Sequence, residues 1–392
     1  MGRHVVVLGA GPGGLAVAQR IRHWLPPTDL VTVVDRTDEQ RLGVSLLLVM
    51  RGWRTPEAVT AHVAPALGEG IVFHQAEVTH IDLENRRVQT NQGELAYDAL
   101  VVALGAEVSV DSVPGLSEAV EHGLAGHYYT LPGALHLRER LASFAGGRVV
   151  LVIARLPYKC PPSPYEGILL IDDLLRERGL RERAELTIVT PEPRPLAIAP
   201  PLISEQLTEL LTVRGVTLVT GEQLQTVDYD RQEVLFASGK REPFDLLVVV
   251  PPHQPPAVVR EAGLVDESGW ITTALATMRT AVDGVWAVGD VTRVPLPNGV
   301  ALPKAAVFAQ AEAEVAARDL ARTLAADAPA PEPSGAGRCW FIAGTQQVGA
   351  IDVDFLAQPS PAFRFTLPDA FYVGAMEAEL ASWLARWGGH AD

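Results

Sequence analysis

An internal repeat is the feature of this 392-residue sequence that most constrains its fold. Residues 3–8 (RHVVVL) return 145 positions later as residues 148–153 (RVVLVI). Residues 81–88 return as residues 227–234, and in both copies a glycine and then an apolar strand follow. Order, spacing and residue type all recur, which indicates two copies of one unit. We predict an α/β chain of two tandem Rossmann-like nucleotide-binding domains, each a parallel sheet with a small antiparallel hairpin insert.

The order of these segments predicts three parts of the chain. The first nucleotide-binding domain comprises residues 1–110 and, after an interruption, residues 251–325. The second domain comprises residues 111–250 and forms the interruption. Residues 325–337 are rich in proline, alanine and glycine, as in a linker. Residues 338–392 form a small C-terminal segment with one cysteine and an amphipathic tail.

A glycine-rich loop follows the first predicted strand. The motif Gly9-x-Gly11-x-x-Gly14 stands between an apolar strand and a helical pattern, and Asp35 ends the next strand. Gly9 permits the tight turn, Gly11 lets the backbone approach a pyrophosphate, and Gly14 lets the helix pack closely on the strand. The helix N-terminus offers free N–H groups to the phosphates. Asp35 can accept hydrogen bonds from ribose hydroxyls, so the pattern predicts a dinucleotide site.

Two further segments favour FAD over NAD at this site. One is a buried strand that ends at Ala103 and Gly105, and the other is a strand that ends at Gly289 and Asp290. Both resemble motifs of the two-domain flavoprotein disulfide reductase superfamily, in which the aspartate that matches Asp290 binds the ribityl chain. The resemblance implies that these four residues contact FAD. A helix N-cap is the alternative role of Asp290.

The second copy of the unit lacks the glycine loop. The positions that match the three glycines are Ala154, Leu156 and Lys159, so side chains fill the space that a pyrophosphate needs. The paired strand ends without an acid for a ribose. Nicotinamide binding is therefore disfavoured, with a degenerate loop that binds a nucleotide by another backbone path as the alternative. Cys160 follows Lys159 and precedes a helix predicted over residues 165–178, whose positive end would favour a thiolate.

Two cysteine motifs carry a closer resemblance. Residues 159–166 (KCPPSPYE) resemble the central cysteine motif of the sulfide:quinone oxidoreductase and flavocytochrome c sulfide dehydrogenase family. Residues 337–340 (GRCW) and 348–355 (VGAIDVDF) are similar to that family's C-terminal cysteine segment. Residues 52–54 (GWR) and 302–304 (LPK) also fit the family. The resemblance extends over nearly the full chain, and its cysteine motifs are more specific than the glycine loop.

The resemblance implies a redox pair, Cys160 and Cys339, beside a flavin. In this family sulfide attacks their disulfide or a bridging sulfur, Cys160 carries the growing persulfide, and Cys339 passes two electrons to the flavin by attack at its C4a position. Glu166 is similar to an acid/base residue of the family, although residues 163–166 also match a capping box, which makes a helix cap its alternative role. Lys304 would stabilise charge on the reduced flavin, or else be a solvated lysine.

The chain departs from the family pattern in three places. Residues 127–130 hold no third cysteine, and residues 197–199 lack an expected histidine. No cysteine precedes Cys160 to form a covalent flavin link, so non-covalent FAD is predicted. We therefore predict the donor as sulfide or another small sulfur compound.

Charge and hydropathy restrict the partners. A formal net charge of −15 excludes nucleic acid and anionic surfaces as electrostatic partners. No run of about 18 apolar residues is present, and a strand directly after residue 4 leaves no room for a signal peptide, so we expect a cytoplasmic protein. Residues 371–387 place apolar side chains on one helical face. This face predicts peripheral contact with the cytoplasmic membrane, or packing on the FAD domain or on a second subunit of a homodimer.

These features together predict an FAD-dependent oxidoreductase that oxidises sulfide or a persulfide and reduces a quinone. A cytochrome could accept the electrons instead and would be a separate subunit, because the sequence has no Cys-x-x-Cys-His motif. The same features are compatible with a nicotinamide-dependent quinone or disulfide reductase and with a non-catalytic flavin redox sensor. No metal site is predicted.

Overall fold

The computed structural model describes residues 2–387. The elements up to residue 108 are β1 (His4–Leu8), α1 (Pro12–Trp24), β2 (Leu30–Asp35), β3 (Glu39–Gln40), α2 (Gly43–Arg51), β4 (Ala61–His62), β5 (Ile71–Gln75), β6 (Val78–Asp82), β7 (Arg87–Thr90), β8 (Gly93–Ala96), β9 (Ala99–Val102) and β10 (Glu107–Val108). The elements from residue 116 to residue 250 are α3 (Leu116–Glu121), β11 (Ala125–Gly126), α4 (Leu131–Ser143), β12 (Gly147–Ile153), α5 (Ser163–Glu177), β13 (Ala184–Thr190), α6 (Pro201–Val213), β14 (Val216–Thr220), β15 (Leu224–Asp228), β16 (Glu233–Phe236), β17 (Arg241–Pro243) and β18 (Leu246–Val250).

The rest of the chain adds short strands and a long helix, and then an antiparallel layer. The elements from residue 253 to residue 323 are β19 (His253–Gln254), α7 (Ala257–Glu261), β20 (Ile271–Thr272), β21 (Val285–Ala287), β22 (Thr292–Arg293) and α8 (Ala306–Thr323). The last elements described are β23 (Ala336–Gly344), β24 (Gln347–Asp354), β25 (Ala362–Asp369) and α9 (Val373–Arg386).

The first five-stranded sheet is parallel and has the strand order β21-β9-β1-β2-β5. Strand β21, from late in the chain, thus completes a sheet built by the first hundred residues. Both faces of β1 are buried, as is typical of parallel sheets. Val5 and Val7 pack with α1 and α8, whereas Val6 and Leu8 pack with α7 and the antiparallel strands β6 to β8.

The second five-stranded sheet is also parallel and has the order β11-β18-β12-β13-β14. Val149 and Leu151 of β12 pack with α4, α5 and α6. Val150 and Val152 pack toward the antiparallel strands β15 to β17, which correspond to β6 to β8 of the first unit. The predicted α/β fold of two Rossmann-like units with hairpin inserts is confirmed.

The two copies also share a hydrogen bond at the start of the first strand. The backbone N–H of His4 donates to Asp98 Oδ2 at 2.7 Å. The backbone N–H of Arg148 donates to Asp245 Oδ2 at 2.7 Å. The two aspartates belong to the dipeptides Tyr97-Asp98 and Phe244-Asp245, which directly precede β9 and β18. Each aspartate therefore links the strand that follows it to the first strand of its unit.

The C-terminal layer is the antiparallel sheet β23-β24-β25 followed by α9. Strand β23 packs on α5 of the second unit and on α8 of the first. Met376 and Leu380 of α9 are buried in the core around α5, while Trp383, Leu384 and Trp387 are buried in the core around α1. Packing within the chain therefore accounts for most of the apolar face predicted for the tail.

No helix among residues 2–387 combines the length and the apolar character needed to cross a bilayer. The predicted C-terminal segment extends beyond this range, and its residues 388–392 lie outside the described residues. The predicted domain boundaries stay a prediction.

Candidate active site

The loop between β1 and α1 is shaped by close backbone contacts. Gly9 has a φ of +101°, and a Cβ atom there would lie 2.3 Å from the carbonyl oxygen of Ala103. A Cβ atom at Gly14 would lie 1.9 Å from the carbonyl oxygen of Gly9. A side chain at either glycine would displace the backbone, so packing alone requires both of them.

Gly11, in contrast, faces open space. It is the N-cap of α1, and a Cβ atom there would meet no heavy atom within 4 Å. Gly105 after β9 also has no heavy atom within that distance of a Cβ position. No side chain caps α1 and no acid lies in its first turn, so its first N–H groups face this space. A helix end with free donors and room for close approach fits the pyrophosphate of FAD.

Asp35 at the end of β2 is held beside this loop. Its Oδ2 accepts a hydrogen bond from the N–H of Ala10 at 2.7 Å, and its Oδ1 accepts one from the N–H of Thr37 at 3.1 Å. Burial raises the pKa of Asp35, and these N–H groups oppose the rise. Each carboxylate oxygen retains a further lone pair, which suits the acceptance of hydrogen bonds from ribose hydroxyls.

Gly289 and Asp290 follow β21 at the same edge of the sheet. Gly289 has a φ of +77°, and its N–H donates to Glu312 Oε2 at 2.5 Å. The helix-cap alternative for Asp290 is wrong, because Val288 is the N-cap of the short 3₁₀ helix here and Ala305 is the N-cap of α8. The carboxylate of Asp290 is therefore not committed to a helix end.

Lys304 lies in the segment before α8 and is only 7% exposed, so the solvated-lysine alternative is wrong. Its Nζ donates to the carbonyl oxygens of Asp290 at 2.9 Å and Thr292 at 2.6 Å. It also lies 3.4 Å from the ring centroid of Trp270, within the range of a cation–π contact. Burial lowers the pKa of Lys304 to about 8, against the raising effect of Asp290.

The loop between β12 and α5 holds Cys160 at a φ of +60°, which is uncommon for a residue other than glycine. The N–H of Cys160 donates to the carbonyl oxygen of Lys304 at 2.7 Å, and its own carbonyl accepts from the N–H of Ser163 at 2.9 Å. Tyr158 Oη donates to the carbonyl oxygen of Pro161 at 3.2 Å and closes the loop. The first of these bonds joins the cysteine loop of the second unit to the lysine segment of the first.

Glu166 on α5 points into the protein. The N-cap of α5 is Pro162 with no side-chain bond, so the capping box predicted for residues 163–166 does not form and the helix-cap alternative is wrong. Glu166 is fully buried, and its Oε1 accepts a hydrogen bond from the N–H of Ile342 on β23 at 2.8 Å. Within the described chain its Oε2 has no partner. Burial raises the pKa of Glu166 to about 8, so both protonation states are populated near neutral pH.

Glu166 joins the two segments that carry the cysteines: Cys160 precedes α5, which bears Glu166, and Glu166 is bonded to β23, which bears Cys339. Cys339 lies three residues before Ile342, and both cysteines are free, half-buried residues. Burial raises the pKa of Cys160, and the charges of Glu166 and Cys339 raise it further. Burial and the charge of Glu166 likewise raise the pKa of Cys339 to about 12. The predicted thiolate-favouring surroundings of Cys160 are therefore wrong, because burial outweighs the helix end and Lys159.

Sequence reasoning missed an aromatic wall beside the cysteine loop. Tyr128 Oη donates to the carbonyl oxygen of Ser163 at 3.0 Å, and Gly167 of α5 makes room for it, since a Cβ atom there would lie 2.4 Å from the hydroxyl. The rings of Tyr129 and His253 meet edge to face at 4.9 Å between centroids. Burial lowers the pKa of His253 to about 3, so its ring is neutral. The adjacent tyrosines were the only signal of this wall in the sequence.

Sequence reasoning also missed an acid that follows β13 in the second unit. Glu192 Oε2 accepts hydrogen bonds from Tyr165 Oη at 3.0 Å and Thr190 Oγ1 at 3.2 Å, and Oε1 accepts from the N–H of Ala197 at 3.0 Å. The carboxylate is buried and engaged within the core. It is therefore not presented to a ribose as Asp35 is.

Comparisons with known proteins agree with this geometry. The profile of the pyridine nucleotide-disulphide oxidoreductase family matches residues 3–313. The chain is 23% identical over 369 residues to the mitochondrial sulfide:quinone oxidoreductase of Mus musculus, covering 92% of this chain and 80% of the relative. It is 26% identical over 341 residues to the sulfide-quinone reductase of Aquifex aeolicus, covering 83% of this chain and 77% of the relative. The solved structure of the sulfide:quinone oxidoreductase from Aquifex aeolicus matches with a TM-score of 0.84 at 20% identity, covering 99% of this chain and 92% of that one.

The similarity to sulfide:quinone oxidoreductases that the cysteine motifs predict is confirmed by these relatives. The predicted FAD is likewise confirmed, since the matching family consists of flavoproteins and the glycine loop fits the cofactor. The chain belongs to the pyridine nucleotide-disulphide oxidoreductase family and is an FAD-dependent oxidoreductase of the sulfide:quinone oxidoreductase type.

Proposed function

We propose that this chain oxidises sulfide, or another small sulfur donor, at Cys160 and Cys339 and passes two electrons through FAD to a quinone. The observation that carries the proposal is one buried acid, Glu166, that joins the two distant segments bearing these cysteines. Glu166 is bonded to β23, which bears Cys339, and its charge acts on both thiols. Cys160 is in turn bonded to the backbone of Lys304.

FAD supplies a two-electron acceptor when it is bound. The glycine loop at residues 9–14 would hold its pyrophosphate, Asp35 its ribose hydroxyls and Asp290 its ribityl chain. Lys304, bonded to the Asp290 carbonyl, would stand as a positive charge near the flavin ring. The cysteine loop contacts the same segment, which supports a placement of the thiols beside that ring.

The sulfur steps follow thiol–disulfide exchange. In the oxidised pair, HS⁻ attacks the sulfur of Cys160, the S–S bond breaks, and Cys160 carries a persulfide while Cys339 leaves as a thiolate. The electron pair on Cys339 is then available for transfer to the cofactor. Glu166 takes the proton of incoming H₂S, because a pKa of about 8 leaves part of the carboxyl ionised near neutral pH.

The nicotinamide-dependent alternative is disfavoured by the second unit. Its loop holds Ala154, Leu156 and Lys159 at the glycine positions. The acid after β13, Glu192, is consumed by hydrogen bonds inside the core. Among the described residues of this unit, no loop with free N–H donors lies beside an acid that is available to a ligand, whereas the glycine loop and Asp35 form such a pair in the first unit.

The quinone proposal is supported by the quinone named for the relatives, with a cytochrome as the second candidate acceptor.

We also propose peripheral contact with a membrane surface through the residues that precede α9. Leu367 and Phe371 are 53% and 82% exposed there, although the apolar face of α9 itself is buried. Two apolar side chains give only weak insertion, so this contact is expected to be reversible. A homodimer stays a prediction.

The test is anaerobic stopped-flow reduction of the bound flavin by sulfide and by NADH. We expect sulfide to bleach the flavin absorbance, and NADH to do so at under roughly 1% of that rate. Cys160→Ser and Cys339→Ser should each slow reduction by sulfide roughly 1,000-fold, because a covalent sulfur carrier has been removed. Dithionite should reduce all three proteins equally, which serves as the control for an intact flavin.

Three outcomes would contradict the proposal. Faster reduction by NADH than by sulfide would indicate a nicotinamide-dependent reductase. Full rates with sulfide in both cysteine variants would remove the thiols from the reaction. Slow reduction by every donor, together with a conformational response to oxidation, would indicate a redox sensor.

A further inference from the structure

A buried acid on α8 has no role in the reaction proposed above. Glu312 is 5% exposed, and the buried residues one turn before and after it on α8 are the alanines Ala309 and Ala316 together with Phe308 and Val315. Burial of a carboxyl group is costly unless the group is hydrogen-bonded. The alanines predict a buried helix face, but they give no packing reason for an acid within it.

The carboxyl group of Glu312 is bonded to the backbone of the cofactor segment. Its Oε2 accepts the N–H of Gly289 at 2.5 Å. Gly289 has a φ of +77°, and a Cβ atom there would lie 3.5 Å from the Cβ of Ala309. The bond therefore orients the Val288–Gly289 peptide group, and Gly289, which directly precedes Asp290, has a conformation that favours glycine.

Glu312 lines a narrow recess together with Gly289, Asp290 and Lys304. Burial raises the pKa of Glu312 to about 8, the Gly289 N–H lowers it, and the charged groups that face it, Asp290 and Lys304, act in opposite directions. The charge on this acid therefore changes near neutral pH, within the same recess as the residues assigned to the cofactor.

We propose that Glu312 is a positioning residue of the FAD site, which holds the Gly289–Asp290 backbone for the ribityl chain and, when ionised, opposes reduction of the flavin. The hydrogen bond is available in either protonation state, because one carboxyl oxygen always accepts. A negative charge nearby disfavours the more negative reduced ring. The inference rests on the placement of FAD in the proposed function, and not on sulfide as the donor.

Two substitutions separate the hydrogen bond from the charge. Glu312→Gln keeps an acceptor for the Gly289 N–H and removes the charge, whereas Glu312→Ala removes both. We expect the dissociation constant of FAD from Glu312→Gln to lie within about threefold of the wild-type value. The constant for Glu312→Ala should be roughly 30-fold higher, because a buried N–H is left unpaired. The constants are measured from flavin released on dilution of the holoenzyme.

The effect of the Glu312 charge is tested by the midpoint potential of the bound flavin. This potential is measured by titration with dithionite against a reference dye, in the absence of sulfide. Wild type and Glu312→Gln should agree at pH 6.5, where the acid is protonated. At pH 9 the wild-type potential should lie below that of Glu312→Gln, because the acid is ionised above its pKa of about 8. Ionised Glu312 raises the pKa of Lys304, so Lys304 keeps more positive charge in the wild type and offsets part of this difference without reversing it.

Glu314→Gln is the matched control, with the same chemical change on the same helix. Glu314 forms ion pairs with Arg20 and Arg318 away from the recess, so we expect neither readout to change. Equal potentials for wild type and Glu312→Gln from pH 6.5 to pH 9 would overturn the charge effect. An Ala variant with lower thermal stability and unchanged FAD affinity would overturn the positioning role. Neither readout uses sulfide, so both stand if the sulfide reaction fails.

Discussion

The two nucleotide-binding units share a sheet and differ in the loop at its edge. In the first unit, β1 leads into a glycine loop with open space at Gly11. In the second, β12 leads into a loop that holds Cys160 against the backbone of Lys304. Four strands, β9-β1-β2-β5 and β18-β12-β13-β14, and the antiparallel insert have the same order in both units, whereas the fifth strand at the edge comes from a different part of the chain. The cores beneath the two sheets do not depend on these loops, so one frame can carry a phosphate loop or a cysteine loop.

The acids that follow the second strand of each unit differ in the same way. Among the described residues, Asp35 accepts hydrogen bonds from the backbone N–H groups of Ala10 and Thr37 and from no side chain, so it remains available to a ligand. Glu192 is bonded to Tyr165, Thr190 and the backbone within the second unit. An acid in the right region of the sequence is therefore a ligand-binding residue only where the fold leaves its lone pairs free.

The largest expected effect tests whether the loop of the first unit, unlike the cysteine loop of the second, binds the cofactor. Gly11→Val places a side chain in space that no protein atom occupies within 4 Å of the Cβ, so the fold should be retained. The same space is assigned to the pyrophosphate, so FAD affinity should fall roughly 1,000-fold. Gly43→Val is the matched control, because Gly43 also faces open space but lies on α2. Flavin fluorescence titration measures both variants, and equal affinities would refute the assignment.

The second prediction sharpens the contrast between the two acids. Asp35→Ala should weaken FAD binding roughly 30-fold, because a carboxylate acceptor of ribose hydroxyls is lost. Glu192→Ala should leave FAD binding unchanged and lower the free energy of unfolding by about 3 kcal/mol, since buried donors lose their acceptor. Flavin titration and urea unfolding measure the two effects. A loss of FAD from Glu192→Ala without a loss of stability would reverse the contrast.

The third prediction concerns Glu166, the buried acid that joins α5 to the strand of Cys339. The pKa of Glu166 is raised to about 8 in the folded chain, so the native state binds more protons than the unfolded state between pH 4.5 and pH 8. The free energy of unfolding should therefore fall as pH rises, by about 2 kcal/mol between pH 6 and pH 8 from this group. Glu166→Gln should remove that part of the slope in urea unfolding series. Parallel curves for the two proteins would show that the carboxyl group is not held in its protonated form.

The smallest expected effect tests a contact that the two units share, the hydrogen bond at the start of β1 and of β12. Asp98→Ala and Asp245→Ala each remove the acceptor for one backbone N–H at the start of β1 or β12. Each should lower the free energy of unfolding by about 1 kcal/mol, because one exposed hydrogen bond is lost and the exposed ion pair of Asp245 with Arg148 adds little. Urea unfolding should give values that differ by less than roughly 0.5 kcal/mol. A much larger loss in one copy would mean that the units are not equivalent at this contact.

Local sequence patterns were sufficient for the frame and for the glycine loop. The α1 helix and the end of β2 at Asp35 follow from period and turn chemistry within some thirty residues. The capping box at residues 163–166 was a local pattern that did not form. Glu166 instead satisfies the N–H of Ile342, 176 positions away. A contact between such distant segments leaves no periodic trace in a single sequence, so the local capping box stands there as an equal alternative.

The sequence by itself determined the duplicated α/β frame, the loop that suits FAD and the loss of that loop in the second unit. Those features depend on neighbouring residues and on the alternation of apolar side chains. Only the tertiary structure decided that Glu166 is bonded to the strand of Cys339, that Lys304 is buried, and that Glu312 is bonded to Gly289. These outcomes depend on which distant segments exclude water together, because burial sets both the hydrogen bonds and the pKa values of charged groups.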